Sequence, residues 1–495
     1  ISLIGNKETL FNLLYFPPSF EITKKEKIVL PLQEGLLIPW DSIRDIPKRL
    51  KYYGGQLSMA FVGVIEDNGC GWMEVIETPF DFEVRIKREG KKLIFENCWL
   101  GEKERFGYER RISFVFFDKG GYVAMAKYYR KYAMKKGWFK TLKEKNFSRK
   151  GNIDKLIGAV DVWYWGIDIG KLAEDMKRLG IKKALMSNTD EWNIKKINKF
   201  GFLTSRYDIY QDVWPPVYHH ITHLHEGWLE DLVLDKNGNW IKGWTIKKGL
   251  KEYPGGVVCS IRGLERAKVK IPQDLKRNPY TARFIDTTTC SPWRECYNPS
   301  HPTTRREDAK YKMELLKFCS EEMKLVTGSE NGVDCAVPYC DYFEGMMSIG
   351  IGRLPNSGRN VSKVEYMPPT EKFLKYQVGV KYRIPLWELV YHDCVVSTWY
   401  WGDSSNRIPE AWWKKDLFNI LYGTMPLWAI RDWKHWKRYR DRFVKSYNNI
   451  CPVFEKVGFK EMFTHRFVTD NGNIQETVFE GDVRIIVNFG EQPYK

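Results

Sequence analysis

No stretch of the 495-residue chain approaches the roughly 18 to 20 uninterrupted apolar residues needed to cross a bilayer, so neither a transmembrane segment nor a membrane partner is expected. The ten cysteines stand singly, at 70, 98, 259, 290, 296, 319, 335, 340, 394 and 451, with no CxxC pair and too little density for a disulfide scaffold. Reduced, buried thiols in a cytoplasmic protein are the expectation. The opening ISLIGNKETL has no basic segment followed by an apolar core, so no signal peptide is expected in it; a secretion signal already removed stays an open alternative. A GxSxG elbow, a Walker loop and a dinucleotide fingerprint are all missing, which argues against esterase, kinase and dehydrogenase chemistry and against a cofactor.

Positive charge and aromatic rings are in excess. Lys plus Arg exceed Asp plus Glu by 79 to 62, a net +17 that would suit nucleic acid or an anionic glycan. The lysines are scattered through helical patterns, however, and the densest run, RDWKHWKRYRDRFVKSY, interleaves acids and aromatics at helical spacing. It reads as a solvated helix face, and no nucleic-acid partner is expected. The 20 Trp, 27 Tyr and 27 Phe cluster beside polar residues, as in DVWYWG, TDEW, QDVW, TWYWGD and EAWW. Aromatic faces next to hydrogen-bonding groups suit a sugar ring, although the same residues can fill a core.

Three regions are expected: residues 1–150, 151–455 and 456–495. The first alternates in period two between glycines, prolines and asparagines, which predicts an antiparallel β-sandwich; a helix follows at about 122–138, and TLKEKNFSRKGN reads as a linker. From about 155 strands alternate with helices: IGAVDVWYW, KKALMS, FLTSRYDIY, RFIDTTT, KLVTGSE, PLWELVYHD and MPLWAI are seven strand candidates. With no phosphate loop after the first, an irregular (β/α)8 barrel fits better than an open doubly wound sheet. A stretch at 212–280 with little periodicity is long enough to be functional or to carry its own structure. The tail, with NG at 471–472 as a hairpin turn, predicts a small C-terminal β domain.

A barrel builds its site from the C-terminal ends of its strands, and that rule selects residues. Asp286 ends RFID and Glu330 ends LVTGSE, separated by one helix and its loops. Glycoside hydrolysis needs two carboxylates, one to protonate the leaving oxygen and one to act as nucleophile or base. A helix cap or an ion pair is the plainer reading of either acid, and Asp341 and Glu344 compete for the same roles. Asp190, Glu191, Arg206, Asp208, His392 and Asp393 occupy comparable strand ends and are candidate substrate-binding groups, with Trp163, Trp165 and Trp399 as candidate sugar walls. The run YHHITHLHE at 218–226 lacks HExxH spacing, and no metal site is expected there.

The chain resembles the glycoside hydrolases that comprise the endo-α-N-acetylgalactosaminidases and the related α-N-acetylgalactosaminidases of glycoside hydrolase family 129. The likeness is carried, in order, by EGLLIPW, RFIDTTT, GSENG, IPLWELVYHDCVV and ETVFEGDVRIIVNFG. It implies a β-sandwich packed on a distorted barrel and a retaining mechanism with Asp286 as nucleophile and Glu330 as general acid/base. The large accessory modules of the endo-acting enzymes are missing, so the specific sugar carries over weakly. A non-catalytic carbohydrate-binding protein on the same scaffold is the alternative, with a polyanion-binding protein third.

Overall fold

The computed structural model describes residues 1–90, 92–359 and 366–494. The period-two N-terminal region folds as two antiparallel sheets. One contains Glu26–Leu30, Leu36–Pro39, Phe61–Glu66, Gly71–Ile76 and Arg110–Phe117; the other is built on Arg49–Lys51, Phe82–Glu89 and Lys92–Leu100. Their inner faces meet through buried apolar residues and through polar contacts such as Asn97 Nδ2 donating to Glu74 Oε2 at 2.7 Å. Burial lifts the Glu74 carboxyl to about 8, so the group that accepts this bond sits in the core with little need of charge.

After the helix Gly121–Lys136, the expected linker is instead a second helix, Leu142–Ser148. Its start is a capping box in which Thr141 and Glu144 each satisfy the other's backbone N–H. Lys145 is buried and donates to the carbonyls of Cys340 and Cys394, and Arg149 pairs with Asp341 at 3.0 Å. Polar residues that read as solvated chain are therefore a plug.

That plug closes the N-terminal end of an eight-stranded parallel sheet. Its strands are β1 (Val160–Tyr164), β2 (Ala184–Met186), β3 (Leu203–Asp208), β4 (Ala282–Ile285), β5 (Val326–Glu330), β6 (Tyr342–Glu344), β7 (Val396–Ser397) and β8 (Leu427–Ile430). They run in the order β8, then β1 through β7, a curled sheet rather than a closed ladder. Between its edges Met425 N–H donates to Ser397 O at 3.2 Å. The barrel is thus distorted, as expected, but not fully closed.

Six of the seven expected strands are present. The exception, PLWELVYHD, forms the helix Leu386–Tyr391, every residue of which, Glu388 included, is buried, and a run buried on all sides carries no period that separates strand from helix. The two strands that reading missed, β6 and β7, have three and two residues, too few to show a pattern. The long insertion after β3 carries its own sheet of Asp212–Val213, Lys242–Lys248 and Lys251–Val257, then a helix, Ser260–Arg277. The chain ends in an antiparallel sheet of Met462–Phe467, Ile474–Phe479 and Val483–Asn488. Among the described residues no helix is long and apolar enough to cross a membrane.

Candidate active site

Alternation along a strand decides which side chains see the barrel interior. Tyr207 pairs in register with Phe284, Phe284 with Gly328, and Gly328 with Tyr342. These positions and Trp163 of β1 form one interior layer, with ring centroids 5.4 Å apart for Trp163 and Phe284, 5.8 Å for Tyr207 and Phe284, and 6.2 Å for Phe284 and Tyr342. Gly328 is required because the Tyr342 ring fills its place; a Cβ there would lie 2.1 Å from that ring.

Two residues further along β4, β5 and β6, on the same inward parity, stand Asp286, Glu330 and Glu344. Glu330 and Glu344 are in register, and Asp286 and Glu330 follow the paired Ile285 and Ser329. Ser329 Oγ donates to Ile285 O at 2.7 Å and locks the two strand ends together. The chain turns sharply after both expected catalytic acids: Thr287 at φ +59° and Asn331 at φ +50° are left-handed. Asn tolerates that region, whereas β-branched Thr is strained there, at a cost on the order of 1–3 kcal/mol.

Each acid has distinct partners. Tyr207 Oη donates to Asp286 Oδ2 at 2.5 Å. Burial first, and the Glu330 charge second, push the Asp286 carboxyl up to about 8, against the lowering effect of Tyr207. A nucleophile attacks as its carboxylate, so this upward shift opposes the role that the resemblance implies for Asp286. Glu330 Oε2 accepts from the Cys290 thiol at 3.0 Å, and Oε1 lies 3.7 Å from Arg353 Nη1. Arg353 also donates to Asn331 Oδ1 at 2.7 Å and stacks 3.9 Å from the Tyr400 ring centroid. Glu344 is buried, and its Oε1 accepts from the Trp401 backbone N–H at 2.5 Å. Burial and the Glu330 charge raise its carboxyl well above the usual range, so Glu344 is a neutral acid.

The threonines after Asp286 do not bind its carboxylate through their hydroxyls. Thr287 and Thr288 donate to the Asp286 main-chain oxygen at 2.7 and 3.3 Å, and Thr289 donates to the carbonyls of Glu330 and Asn331 at 2.7 and 2.6 Å. They fix the backbone between the two acids.

Several expected groups lie away from this cluster. Arg206 and Asp208 have the opposite parity and face outward, where Asp208 pairs with Arg283, Arg283 with Asp274, and Arg206 with Glu191 at 3.1 Å. Asp190 accepts from the backbone and side chain of Asn193 ahead of the helix Ile194–Lys199, a local turn contact. His392 and Asp393 precede β7 and so sit at the opposite end of the barrel. His392 contacts the carbonyls of Lys460 at 2.7 Å and Gly423 at 3.1 Å, while Asp393 is bidentate to Arg130. Asp341 is likewise at that end, bound to Arg149. Trp399 is core: its Nε1 donates to Asn419 at 2.7 Å, and Arg383 and Lys415 flank its ring.

The aromatic wall contains Trp163 and Trp165, joined by Trp401, whose ring centroid lies 6.2 and 5.8 Å from theirs, and by Tyr400. Trp401 and Tyr400 lie within the TWYWGD cluster. Tyr207, Cys290 and Arg353 carried no motif and were missed, although strand parity could have found Tyr207. His225 of the histidine run contacts the Trp214 carbonyl at 3.0 Å.

The sandwich reaches this site. Gly54 N–H donates to Thr289 O at 3.0 Å, placing the 52–57 turn against the loops that follow Asp286 and Glu330. Beneath it Asp334 accepts from Tyr52, Tyr129 and the Ala60 N–H. A separate cleft of about 480 Å³, with Glu104, Lys236, Glu295 and Arg305 on its walls, contains none of the three barrel acids. Its charges pair with each other, Lys236 with Glu104 and Arg305 with Glu295.

The fold matches solved glycosidases. The α-N-acetylgalactosaminidase NagBb from Bifidobacterium bifidum, in its GalNAc complex, aligns with a TM-score of 0.76 at 16% identity, over 100% of this chain and 84% of that one. A GH31 family sulfoquinovosidase from E. rectale aligns at TM-score 0.54 and 10% identity over 96% and 76%, and the GH36 α-galactosidase AgaB from Geobacillus stearothermophilus at 0.53 and 12% over 93% and 65%. No curated protein matches the sequence. The sequence profile of the glycosyl hydrolases related to the GH101 family, GH129, matches residues 175–368 and 361–478. More than half of the chain lies within those matches, and the protein, a glycoside hydrolase, belongs to family GH129.

Proposed function

We propose that the protein is a retaining α-glycosidase that cleaves α-linked N-acetylgalactosamine or a related galactose-type sugar through a covalent glycosyl-enzyme. The observation that carries this is the placement of Asp286 and Glu330 at neighbouring ends of adjacent strands, each in the electrostatic field of the other. Adjacent strands lie about 4.8 Å apart. Neighbouring strand ends let the two carboxyls come as close as the roughly 5–5.5 Å of a retaining pair, against the roughly 6.5–9.5 Å of an inverting one. The activity named for NagBb supports the choice of sugar.

In the first step an Asp286 carboxylate oxygen bonds to the anomeric carbon. The bond to the leaving oxygen breaks with its electron pair, and that oxygen takes the Glu330 proton. In the second step Glu330 removes a proton from water, the water oxygen bonds to the anomeric carbon, and the ester to Asp286 breaks. Two inversions give retention. Asp286, short and held by Tyr207, is the fixed nucleophile; Glu330 has the longer reach toward the leaving group. Positive charge developing on the sugar favours an ionised Asp286.

A panel of nitrophenyl α- and β-glycosides with proton NMR of the first-formed anomer tests this. Turnover of an α-N-acetylgalactosaminide or α-galactoside to the α-anomer is expected. A β-anomer as first product, or preference for β-glycosides, would overturn it.

A further inference from the structure

Away from the carboxylates, three ligand-type side chains converge where the insertion meets the segment after β4. Cys259 immediately precedes the helix Ser260–Arg277, while Cys296 and His301 lie five positions apart in the segment that follows Asp286. All three are buried, and one ligand atom from each falls within 4.8 Å of the others. The periphery is apolar, formed by Val233 and Val257 with Ile241 and Ile261 packed on them.

The histidine is oriented as a ligand. Its Nε2 faces the Glu230 carbonyl at 2.9 Å, and because a carbonyl only accepts, Nε2 carries the hydrogen and Nδ1 presents its lone pair. Nδ1 lies 3.5 Å from Cys296 Sγ. Tetrahedral zinc, with Zn–S near 2.3 Å and Zn–N near 2.0–2.1 Å, holds its sulfur and nitrogen ligands roughly 3.5–3.6 Å apart, so this pair already has the separation that the ion imposes. Cys259 is the residue immediately before that helix, so its position is fixed by the start of a regular element. Thr303 Oγ1, 3.7 Å from Cys259 Sγ, is a polar anchor for a water as fourth ligand.

We propose that Cys259, Cys296 and His301 bind one Zn²⁺ that fastens the insertion to the segment following the nucleophile strand. Two thiolates and an imidazole select a borderline-soft cation over Ca²⁺ or Mg²⁺, which take oxygen ligands. The metal is structural, since the cluster is sealed among apolar side chains and holds none of the three barrel acids. Its mechanical reach is nonetheless direct: the clamped segment begins with Thr289 and Cys290, which bind the Glu330 backbone and carboxylate.

The test is elemental analysis of the full-length protein purified without chelator, alongside Cys296→Ala, His301→Ala and, as a control outside the cluster, Glu330→Gln. About one zinc per chain in the parent and in Glu330→Gln, with a fall of at least about tenfold in both cluster variants, is the expected result. Should the variants fail to fold, the parent produced in cobalt-supplemented medium gives the second readout, a thiolate-to-cobalt charge-transfer band in the near ultraviolet. Parent protein with under about a tenth of an equivalent of zinc, a cobalt form lacking that band, or an intact mass lighter by two hydrogens from a Cys259–Cys296 disulfide would each overturn the proposal. Because the readout is metal content, it is unaffected if the proposed glycosidase activity is wrong.

Discussion

The Cys290 thiol donates to Glu330 Oε2 at 3.0 Å, tying the loop that follows one expected catalytic acid to the carboxylate of the other. Burial and the neighbouring acids hold that thiol well above its usual range, so it stays protonated and serves as a donor rather than a nucleophile. Cys290→Ser keeps a donor of similar size and should retain kcat/KM within about threefold. Cys290→Ala removes it and should lose roughly 3- to 10-fold, the worth of one neutral hydrogen bond. Equal activity in the two variants would show that the thiol does not position Glu330.

Chemical rescue separates the two carboxylates. Asp286→Ala should abolish turnover, and azide should restore it by entering from the nucleophile's side to give the inverted glycosyl azide. Glu330→Ala should retain a slow first step on activated aryl glycosides, because such leaving groups need no proton, and azide should accelerate its second step with retention. Full activity of Glu330→Ala on substrates with poor leaving groups would remove Glu330 from its role.

How much of this site was legible from sequence follows from strand physics. Asp286 and Glu330 were readable because each ends a strand with several buried residues, RFID and VTGSE, whose break into polar residues marks the mouth. Arg206 and Asp208 share that strand-end position but fail on parity: Tyr207 between them points inward, so the pair faces outward, where Arg206 meets Glu191 and Asp208 meets Arg283. His392 and Asp393 were misplaced because LWELVY is buried on all sides and shows neither period, so a helix entering β7 read as a strand leaving toward the mouth. The Cys259, Cys296 and His301 cluster was invisible, since its first ligand lies 37 residues before its second and no short motif joins them. Arg353 comes from a long loop after a three-residue strand, where sequence gives no register.

The upward shift of Asp286 sets a pH dependence. Its carboxyl must be ionised to attack, and in the free enzyme burial and the Glu330 charge lift it to about 8. Because that lift includes the Glu330 charge, this ionisation takes the last proton from the pair, and the reaction needs one for the leaving oxygen; kcat/KM, which reports the free enzyme, should fall as pH rises through about 8. The same shift bears on stability. A carboxyl whose folded pKa exceeds its unfolded value costs nothing below the unfolded pKa and progressively destabilises as pH rises through the window up to about 8. Asp286→Asn, which does not titrate, should gain Tm relative to the parent at pH 8 and show little difference at pH 4. A larger gain at pH 4 would contradict the assignment.

Glu344 is a test of neutrality. Buried beside Glu330 and accepting from the Trp401 N–H, it is held protonated. Glutamine copies the shape, the acceptor and the lack of charge, so Glu344→Gln should keep kcat/KM within about threefold, under ~1 kcal/mol. Glu344→Ala leaves the Trp401 N–H without its acceptor and opens a cavity, at a cost on the order of 2–4 kcal/mol in stability. A loss of more than about a hundredfold in Glu344→Gln would mean that the carboxylate is ionised and catalytic, reviving it as a competitor to Glu330.

Gly54 brings the β-sandwich against the loops that follow Asp286 and Glu330. It is buried, and a Cβ at this position would meet the carbonyl oxygens of Thr289, Asn331 and Gly332 at 2.7, 2.8 and 2.9 Å. All three are backbone, and two of them flank the expected catalytic acids, so no flexible side chain can swing aside to relieve the clash. Gly54 does not have the positive φ that would penalise a side chain on its own account. Gly54→Ala is therefore a purely steric wedge driven from the sandwich into the loops that follow Asp286 and Glu330. The expected cost is about 1–3 kcal/mol of stability, as for other overpacked sites. The fall in kcat/KM should be larger than that stability loss implies, ~10-fold or more, because displacing a reacting group by a fraction of an ångström is felt in the transition state. Gly238→Ala, where nothing lies within 4 Å but φ is +82°, is the matched control: it should lose some stability through backbone strain and leave kcat/KM unchanged. Thermal unfolding and steady-state kinetics on both variants check this, and a Gly54→Ala enzyme with parental kcat/KM would show that the sandwich tip merely rests against the barrel.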